Sequence, residues 1–167
     1  ESNLAAEHIQ DTISAIKELN IQTLMIYPNN DPGSKEMITE LNKIQEPFIK
    51  VFKNIEHSDY LNLLSFASAI IGNSTSALTE APTFGGPAVN IGFRNTGREH
   101  SKNIVFIDQE KNKIIKSIKK ALYNKRYKKN VKKCKNVYGG GDSAKQIVKI
   151  LEDTKINDNL LRKKLTY

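Results

Sequence analysis

The stretch that decides the fold is residues 70–100, IIGNSTSALTEAPTFGGPAVNIGFRNTGREH. Short apolar runs at residues 69–71 and 87–91 predict two buried strands, and the segment between them, residues 74–84, predicts a helix. A strand, a helix and a second strand in this order form a parallel pair, because the helix carries the chain back to the edge where the first strand began. The stretch therefore predicts an α/β unit whose two strands end at the same edge of a sheet.

Polar side chains gather where the first of these strands ends. Gly72 and Asn73 suit a turn, and Ser74 and Thr75 fall at the start of the predicted helix. Unpaired amide N–H groups and the positive end of the helix dipole converge at such a start, so a diphosphate can bind there. Glu80 follows within two helical turns and can accept hydrogen bonds from vicinal ribose hydroxyls.

Two arginines, Arg94 and Arg98, follow the second strand, and either could neutralise the charge of a phosphate. Each residue type in this region also has an ordinary structural role: Ser and Thr cap helices, Glu serves the helix dipole, and loop arginines are solvated. Their joint placement after two successive strands, at the edge where open parallel sheets bind ligands, favours a nucleotide-sugar diphosphate site.

The rest of the chain alternates between helical and strand patterns. Helices are predicted at residues 3–19, 34–44, 58–66 and in the basic segment 111–135, and strands at 21–27, 48–53 and 103–107. This alternation predicts an α/β fold, a Rossmann-like parallel sheet with helices on both faces. A glycine run at residues 139–141 precedes one more helix, which is expected to turn four apolar side chains inward: Ala144, Ile147, Val148 and Leu151.

Four segments resemble the UDP-N-acetylglucosamine 2-epimerases. They are GNSTSALTEAP at residues 72–82, PAVNIGFRNTGRE at 87–99, YPNNDPGSKEM at 27–37 and NVYGGGDSAKQI at 136–147. Asn73 in the first motif and the run GFRNTGRE in the second resemble the pattern of the hydrolysing branch. The nonhydrolysing branch has Asp and a glycine pair in the first motif and a Thr-Glu-Arg-Pro-Glu type run in the second. The resemblance implies a GT-B type fold, in which two Rossmann-like domains face each other across a cleft, and this chain matches the second domain only.

The resemblance also implies roles for individual residues. Ser74 and Thr75 would bind the nucleotide diphosphate, Glu80 the ribose, and Arg94 the phosphate or the sugar side. The full set of implied ligand-binding residues is Asn73, Ser74, Thr75, Glu80, Arg94 and Arg98. The loop PNNDPG at residues 28–33 reads by itself as a strand-to-helix turn. By resemblance it lies at the same cleft edge, which adds three second-tier candidates: Asn29, Asp31 and Lys35.

As a hydrolysing epimerase, the full-length protein would convert UDP-N-acetylglucosamine and water into N-acetylmannosamine and UDP, in amino-sugar or sialic acid biosynthesis. The family takes its acid and base carboxylates from the amino-terminal domain and a histidine from just ahead of this chain, so no catalytic residue is expected here. His8 is interpreted as a surface histidine. The chain begins with Glu1 rather than Met, which is typical of a domain of a longer protein.

The expected organisation is a nucleotide-binding domain at residues 1–155 and a tail at 156–167 that docks on the absent amino-terminal domain. The expected partners are UDP-N-acetylglucosamine, UDP and, for the full-length protein, further copies of itself. No cofactor is expected, since the GxGxxG fingerprint is absent and the three histidines show no ligand spacing with each other or with Cys134. Cys134 sits among lysines, which could lower its pKa, but without a CxxC partner it is interpreted as a bystander thiol.

Composition is that of one ordinary domain: 167 residues with 38% hydrophobic content. No run of about twenty apolar residues and no signal-peptide pattern is present, so a cytoplasmic location without membrane contact is expected. The single cysteine cannot form an internal disulfide.

The formal charge of +8 is local rather than general. Residues 111–135 hold twelve Lys or Arg and no Asp or Glu, which leaves 14 basic against 18 acidic residues elsewhere. Apolar residues such as Ile114 and Ile118 lie on one helical side of this segment, so its lysines are interpreted as a solvated outer face. Nucleic acid is not expected as a partner, because no RNA-recognition signature or helix-turn-helix pattern accompanies the charge.

Three alternatives stay open at this point: a nonhydrolysing epimerase, a GT-B glycosyltransferase domain, and a noncatalytic basic binding module. The base of the nucleotide, uridine or guanosine, is open too. The segment that would cradle it, around residues 52–60, offers no discriminating pattern.

Overall fold

A computed structural model describes residues 4–162, apart from the side chain of residue 159. The helices are α1 (Ala5–Leu19), α2 (Ser34–Leu41), α3 (His57–Phe66), α4 (Ser76–Thr79), α5 (Lys111–Tyr123), α6 (Lys125–Val131), α7 (Ser143–Asp153) and α8 (Asp158–Leu161). A 3-10 helix covers Ala81–Phe84. The strands are β1 (Thr23–Ile26), β2 (Ile49–Phe52), β3 (Ile70–Gly72), β4 (Ala88–Ile91) and β5 (Ile104–Ile107).

All strand pairs are parallel. β1 pairs with β2, and β3, β4 and β5 form a three-stranded ladder in which β4 is central. α2 connects β1 to β2, and α4 with the 3-10 helix connects β3 to β4, whereas residues 92–103 connect β4 to β5 without a helix. The predicted sheet is therefore divided into two hydrogen-bonded ladders. Both ladders contribute to one core cluster, which includes Ile49 of β2 and Val89 of β4. The α/β class with parallel strands is confirmed.

Helices cover both faces of the three-stranded ladder, as predicted. Val89 and Ile91 belong to the core cluster that contains buried residues of α1 and α5. Ala88 belongs to a second cluster with Leu78 of α4 and Ile104 of β5. Successive side chains of a strand point to opposite faces, so all four residues of β4 are buried. This burial fixes the register of the strand, because a slip of one residue would exchange the two faces.

The helix predicted over residues 74–84 is interrupted. α4 spans only Ser76–Thr79, and the 3-10 helix Ala81–Phe84 follows it. Pro82 lies at the start of the 3-10 helix and has no N–H to continue an α-helical ladder. Gly85, with φ of 63°, ends the segment. A single α-helical turn carries only a weak dipole, so an anion at Ser74 would depend on individual N–H and hydroxyl groups instead.

The basic segment also forms two helices instead of one. Asn124 ends α5 and caps α6, since its side chain accepts a hydrogen bond from the Tyr127 N–H at 2.8 Å. The inner face of α5 is buried as predicted, with Ile114 and Ile118 fully inaccessible.

The chain divides into two compact units. The first ends at Val137 and contains every strand; the second begins at Tyr138 and contains α7 and α8. This boundary lies before residue 155, where the expected nucleotide-binding domain ended. The prediction that α7 turns its apolar side chains inward is wrong, because α7 has no buried residue and Leu151 is 69% exposed. Of the expected tail, residues 163–167 lie outside the described part of the chain.

Within residues 4–162, no helix combines the length and the apolar composition that a membrane span requires.

Candidate functional site

The turn after β3 presents its polar groups to solvent. Asn73, Ser74 and Thr75 are all exposed, and Ser74 Oγ accepts a hydrogen bond from the Ser76 N–H at 3.3 Å. Gly72 reaches this turn with φ of 134°, a conformation that favours glycine. No acceptor in residues 4–162 contacts the N–H groups of Ser74 and Thr75. Two hydroxyls and two amide donors are therefore available to an anion at the carboxyl end of β3.

Two buried asparagines join this turn to the loop after β4. The Asn95 side-chain amide donates to the Asn73 carbonyl at 3.0 Å and to Asn90 Oδ1 at 2.8 Å, and it lies 3.5 Å from the Ser74 carbonyl. Asn90 in turn donates to the Gly92 carbonyl at 2.9 Å. Both asparagine side chains are fully buried. The two loops that carry the predicted ligand-binding residues therefore form one connected structure.

The sequence analysis missed this pair of asparagines. Asn90 carried a usable signal, since asparagine is depleted in strands and Asn90 stands inside the apolar run AVNI. A buried amide in such a position needs partners, and the loop just beyond the strand is the nearest place to find them. Asn95 carried no comparable signal, because asparagine is ordinary in a polar loop.

Glu80 is half-buried at the end of α4, close to two other polar side chains. The Thr79 hydroxyl hydrogen-bonds to Glu80 Oε2 and lies 3.0 Å from the Thr75 carbonyl. Tyr60 of α3 interacts with the Ser76 side chain and with the charge of Glu80. Burial raises the pKa of the Tyr60 hydroxyl, a hydrogen bond with the Ser76 side chain opposes this rise, and the negative charge of Glu80 adds to it. Tyr60 belongs to the segment considered for the base, and no pattern in the sequence indicated that it approaches Glu80.

Arg94 forms an ion pair with Asp31, with Nη1 and Oδ2 2.8 Å apart. The pair joins the loop after β1 to the loop after β4, and both side chains are about half exposed, at 44% and 51%. Two predicted candidates that lie far apart in sequence are thus in direct contact.

Three predicted candidates stand apart from this arrangement. Asn29 is exposed after β1, and Lys35 is exposed in the first turn of α2. Arg98 is exposed, and only its backbone is tied to the site, by its N–H donating to the Asn95 carbonyl at 3.3 Å. In the part of the chain that the structure describes, no side-chain contact joins these three to the other candidates.

The described residues contain no group of three or more His, Cys, Asp or Glu side chains that could hold a metal ion. Burial raises the pKa of the Cys134 thiol, so the neighbouring lysines do not activate it as a nucleophile. What the arrangement offers chemically is a set of hydrogen-bond donors, one arginine and one carboxylate, which suits the binding of an anion beside a diol.

The fold defines a Rossmann-like α/β protein, with the polar turn and the arginine loop at the carboxyl edge of its central strands. Comparison with known proteins identifies the family. The family model described as UDP-N-acetylglucosamine 2-epimerase matches residues 1–152, and the chain belongs to this family. The resemblance to this family, seen in the sequence, is confirmed.

Two curated relatives and one solved structure illustrate the likeness. The UDP-N-acetylglucosamine 2-epimerase of Neisseria meningitidis serogroup B is 29% identical over 143 residues, which cover 86% of this chain and 37% of the relative. The UDP-N,N'-diacetylbacillosamine 2-epimerase (hydrolyzing) of Legionella pneumophila is 27% identical over 161 residues, which cover 95% of this chain and 41% of the relative. The chain therefore spans well under half the length of both relatives.

The solved structure is the UDP-GlcNAc 2-epimerase from Neisseria meningitidis bound to UDP-GlcNAc. It superimposes with a TM-score of 0.72 at 17% identity, and the match covers 90% of this chain and 41% of that chain. This likeness confirms the predicted fold class, a Rossmann-like domain of the GT-B type.

Proposed function

We propose that this chain is the nucleotide-sugar-binding domain of a hydrolysing UDP-N-acetylglucosamine 2-epimerase, which converts UDP-N-acetylglucosamine and water into N-acetylmannosamine and UDP. Family membership supports the epimerase assignment. The hydrolysing branch is supported by Asn73 and the run GFRNTGRE. It is also supported by the Legionella relative, whose name includes the hydrolysing activity. We expect the full-length protein to form homo-oligomers.

The observation that carries the proposal is the meeting of the turn after β3 with the Arg94 loop. Ser74 and Thr75 expose hydroxyls and N–H groups on the turn, and Asn95, the residue next to Arg94, donates its side-chain amide to the Asn73 carbonyl of that turn. Donors and a guanidinium held at one edge match the oxygens of a diphosphate. Asn73 flanks the same turn and is exposed.

In the proposed reaction this domain holds the leaving group. Anti elimination removes a proton from carbon 2 and breaks the bond from carbon 1 to the UDP oxygen, which gives a 2-acetamidoglucal and UDP. Water then adds with inversion at carbon 2. Negative charge builds on the departing phosphate during elimination, and fixed donors together with Arg94 would stabilise it. The acid and base groups are expected outside this chain.

Glu80 is proposed to accept hydrogen bonds from the ribose hydroxyls. It follows the diphosphate turn by a single helical turn, and Tyr60 lies beside it. A carboxylate that accepts from both hydroxyls of a diol distinguishes ribose from deoxyribose. Asn29, Lys35 and Arg98 lie outside the connected arrangement, and we propose them only as peripheral contacts.

Isothermal titration of UDP and GDP into the chain at moderate salt tests the proposal. We expect UDP to bind, and we expect Glu80→Ala and Ser74→Ala each to weaken binding about tenfold or more, since a charge-assisted hydrogen bond contributes ~1.5–3 kcal/mol. Glu7→Ala, which removes an exposed carboxylate in the first turn of α1, should leave the affinity unchanged. Unchanged affinity in both site variants would contradict the assignment of Glu80 and Ser74 as nucleotide-binding residues. Preferential binding of GDP would replace uridine with guanosine as the proposed base.

A basic binding module is the second candidate, favoured by the charge of α5 and α6. Within residues 4–162, the ion pairs of these helices include Lys111 with Glu18 and Lys113 with Asp108 and Glu110. Binding to an oligonucleotide that disappears with salt, without binding to either nucleotide, would favour this candidate over the epimerase domain.

A further inference from the structure

We infer that Asn95 is a positioning residue for the diphosphate turn: its side-chain amide holds the turn so that the N–H groups of Ser74 and Thr75 face the ligand. This inference rests on the proposed function, because it concerns the same site. Asn95 itself is fully buried and is not proposed to touch the nucleotide.

The geometry of the peptide bond carries the argument. The Asn73 carbonyl and the Ser74 N–H belong to one peptide plane, and the Ser74 carbonyl and the Thr75 N–H belong to the next. In a trans peptide the C=O and the N–H point in opposite directions, and the chain contains no cis peptide in its described part. Asn95 approaches both carbonyls from the buried side, at 3.0 and 3.5 Å. The two N–H groups are therefore directed away from Asn95, toward solvent.

The contacts of Asn95 leave it little freedom to rotate. Its amide nitrogen also donates to Asn90 Oδ1 at 2.8 Å, and Asn90 is anchored on the Gly92 carbonyl at 2.9 Å. Both side chains are buried, so no solvent competes for these bonds. The Asn73 carbonyl is therefore held by a side chain that is itself fixed on β4, while the Ser74 carbonyl also accepts from the Ala77 N–H at 3.3 Å.

Asn95 also fixes the backbone position of Arg94. Arg94 directly precedes Asn95, so the anchoring of Asn95 brings the arginine backbone next to the turn after β3. The guanidinium contacts Asp31 across the edge. One buried amide thereby aligns two independent phosphate-binding elements, the turn donors and the arginine.

Asn103 provides a matched control at the opposite end of the ladder. It is also fully buried, and its amide donates to the carbonyls of Ala77 and Gly86, each at 3.1 Å. In both residues the Oδ1 atom has no partner within the described residues. Substitution of either asparagine therefore removes similar bonds from a similar environment, but only Asn95 contacts residues 73 and 74 of the proposed site.

The test compares Asn95→Leu with Asn103→Leu, which remove the donors without adding charge. Amide hydrogen exchange and UDP titration are measured on the wild-type chain and on both variants. We expect both variants to lose thermal stability. We expect only Asn95→Leu to alter exchange at residues 73–76 and to weaken UDP binding about tenfold or more, because misoriented donors lose their alignment with the phosphate. Unaltered exchange at residues 73–76 together with wild-type affinity in Asn95→Leu would overturn the inference.

Two further measurements keep the outcomes separate. If neither leucine variant folds, exchange is measured on the wild-type chain alone: the Asn95 side-chain N–H protons should exchange far more slowly than those of exposed asparagines, and equal rates would overturn the inference. If the wild-type chain does not bind UDP, that result counts against the proposed function, and the exchange at residues 73–76 alone decides the role of Asn95.

Discussion

At each end of the three-stranded ladder, a buried asparagine donates its side-chain amide to backbone carbonyls, but the two ends differ in how much of the backbone stays exposed. At the carboxyl end, Asn95 holds backbone carbonyls of the turn after β3. At the amino end, Asn103 holds the carbonyls of Ala77 and Gly86, and its own carbonyl accepts from the Tyr127 hydroxyl at 2.6 Å and from the Ala88 N–H at 2.8 Å. The amino end is thus covered by α6, whereas the carboxyl end leaves hydroxyl and N–H groups exposed.

The comparison indicates that the same buried amide chemistry serves the stability of the fold at the amino end and, as we propose, ligand binding at the carboxyl end. At the amino end nearly every group that the asparagine orients meets a protein partner, so the arrangement stabilises the fold. At the carboxyl end the N–H groups on the far side of the same peptides have no acceptor within the described residues, so they remain available to the proposed ligand. The function depends on which groups are left without a partner.

The largest expected effect concerns the two arginines at the carboxyl end. Arg94→Ala should weaken UDP binding about tenfold or more, because a charge-assisted contact to phosphate contributes ~1.5–3 kcal/mol. Arg98→Ala in the same loop serves as the matched control and should change the affinity by less than about threefold, as expected for an exposed, screened charge. Isothermal titration of both variants at one salt concentration measures the contrast. A larger loss for Arg98→Ala would reverse the roles of the two residues.

A smaller effect is expected at the amino end, from Tyr127→Phe. The variant loses the hydrogen bond to the Asn103 carbonyl, so the free energy of unfolding at neutral pH should fall by about 0.5–1.5 kcal/mol, while UDP affinity stays unchanged. Urea unfolding and titration of the same sample measure both quantities. Tyr123→Phe, at an exposed position, should change neither. A loss of UDP affinity in Tyr127→Phe would show that the two ends are not independent.

The same tyrosine predicts a pH dependence. Burial raises the pKa of Tyr127 from 10.0 to about 12. Since the folded state holds the proton more tightly than the unfolded state, this contribution to stability is fully present below pH 10.0 and is lost as the pH rises through about 12. The difference in unfolding free energy between wild type and Tyr127→Phe should therefore shrink across that window. A difference that stays constant with pH would contradict the burial of the hydroxyl.

The smallest expected effect comes from Asp31→Asn. An exposed ion pair contributes ~0–1 kcal/mol, so stability should hardly change. The substitution frees Arg94 from its competing carboxylate, and UDP affinity should rise by up to about threefold at low salt and less at high salt. Glu36→Gln, an exposed carboxylate in α2, is the control. A tenfold loss of affinity would instead make Asp31 a residue that binding requires.

The sequence alone determined the alternation of strands and helices, because period-2 and helical patterns of apolar residues are local. It also indicated the residues whose types suit a nucleotide sugar, since hydroxyls after a strand, a carboxylate one or two turns later and loop arginines stand close together along the chain. The same local reasoning overestimated the helix over residues 74–84. The alternating pattern of strands and helices on either side favoured one continuous helix here. Pro82 lies inside this segment, and proline breaks helices.

Only the tertiary structure decided which of these residues meet. The contact between Arg94 and Asp31 joins loops after different strands, and the contact between Asn95 and Asn73 joins two turns through a buried amide. The exposure of Leu151 likewise depends on what packs around α7 and not on its amphipathic pattern. Local patterns fix which groups a segment carries, but the direction of a peptide N–H and the partner of a side chain depend on packing between segments distant in sequence. The sequence therefore determined the chemical inventory of the site, and the fold decided its arrangement.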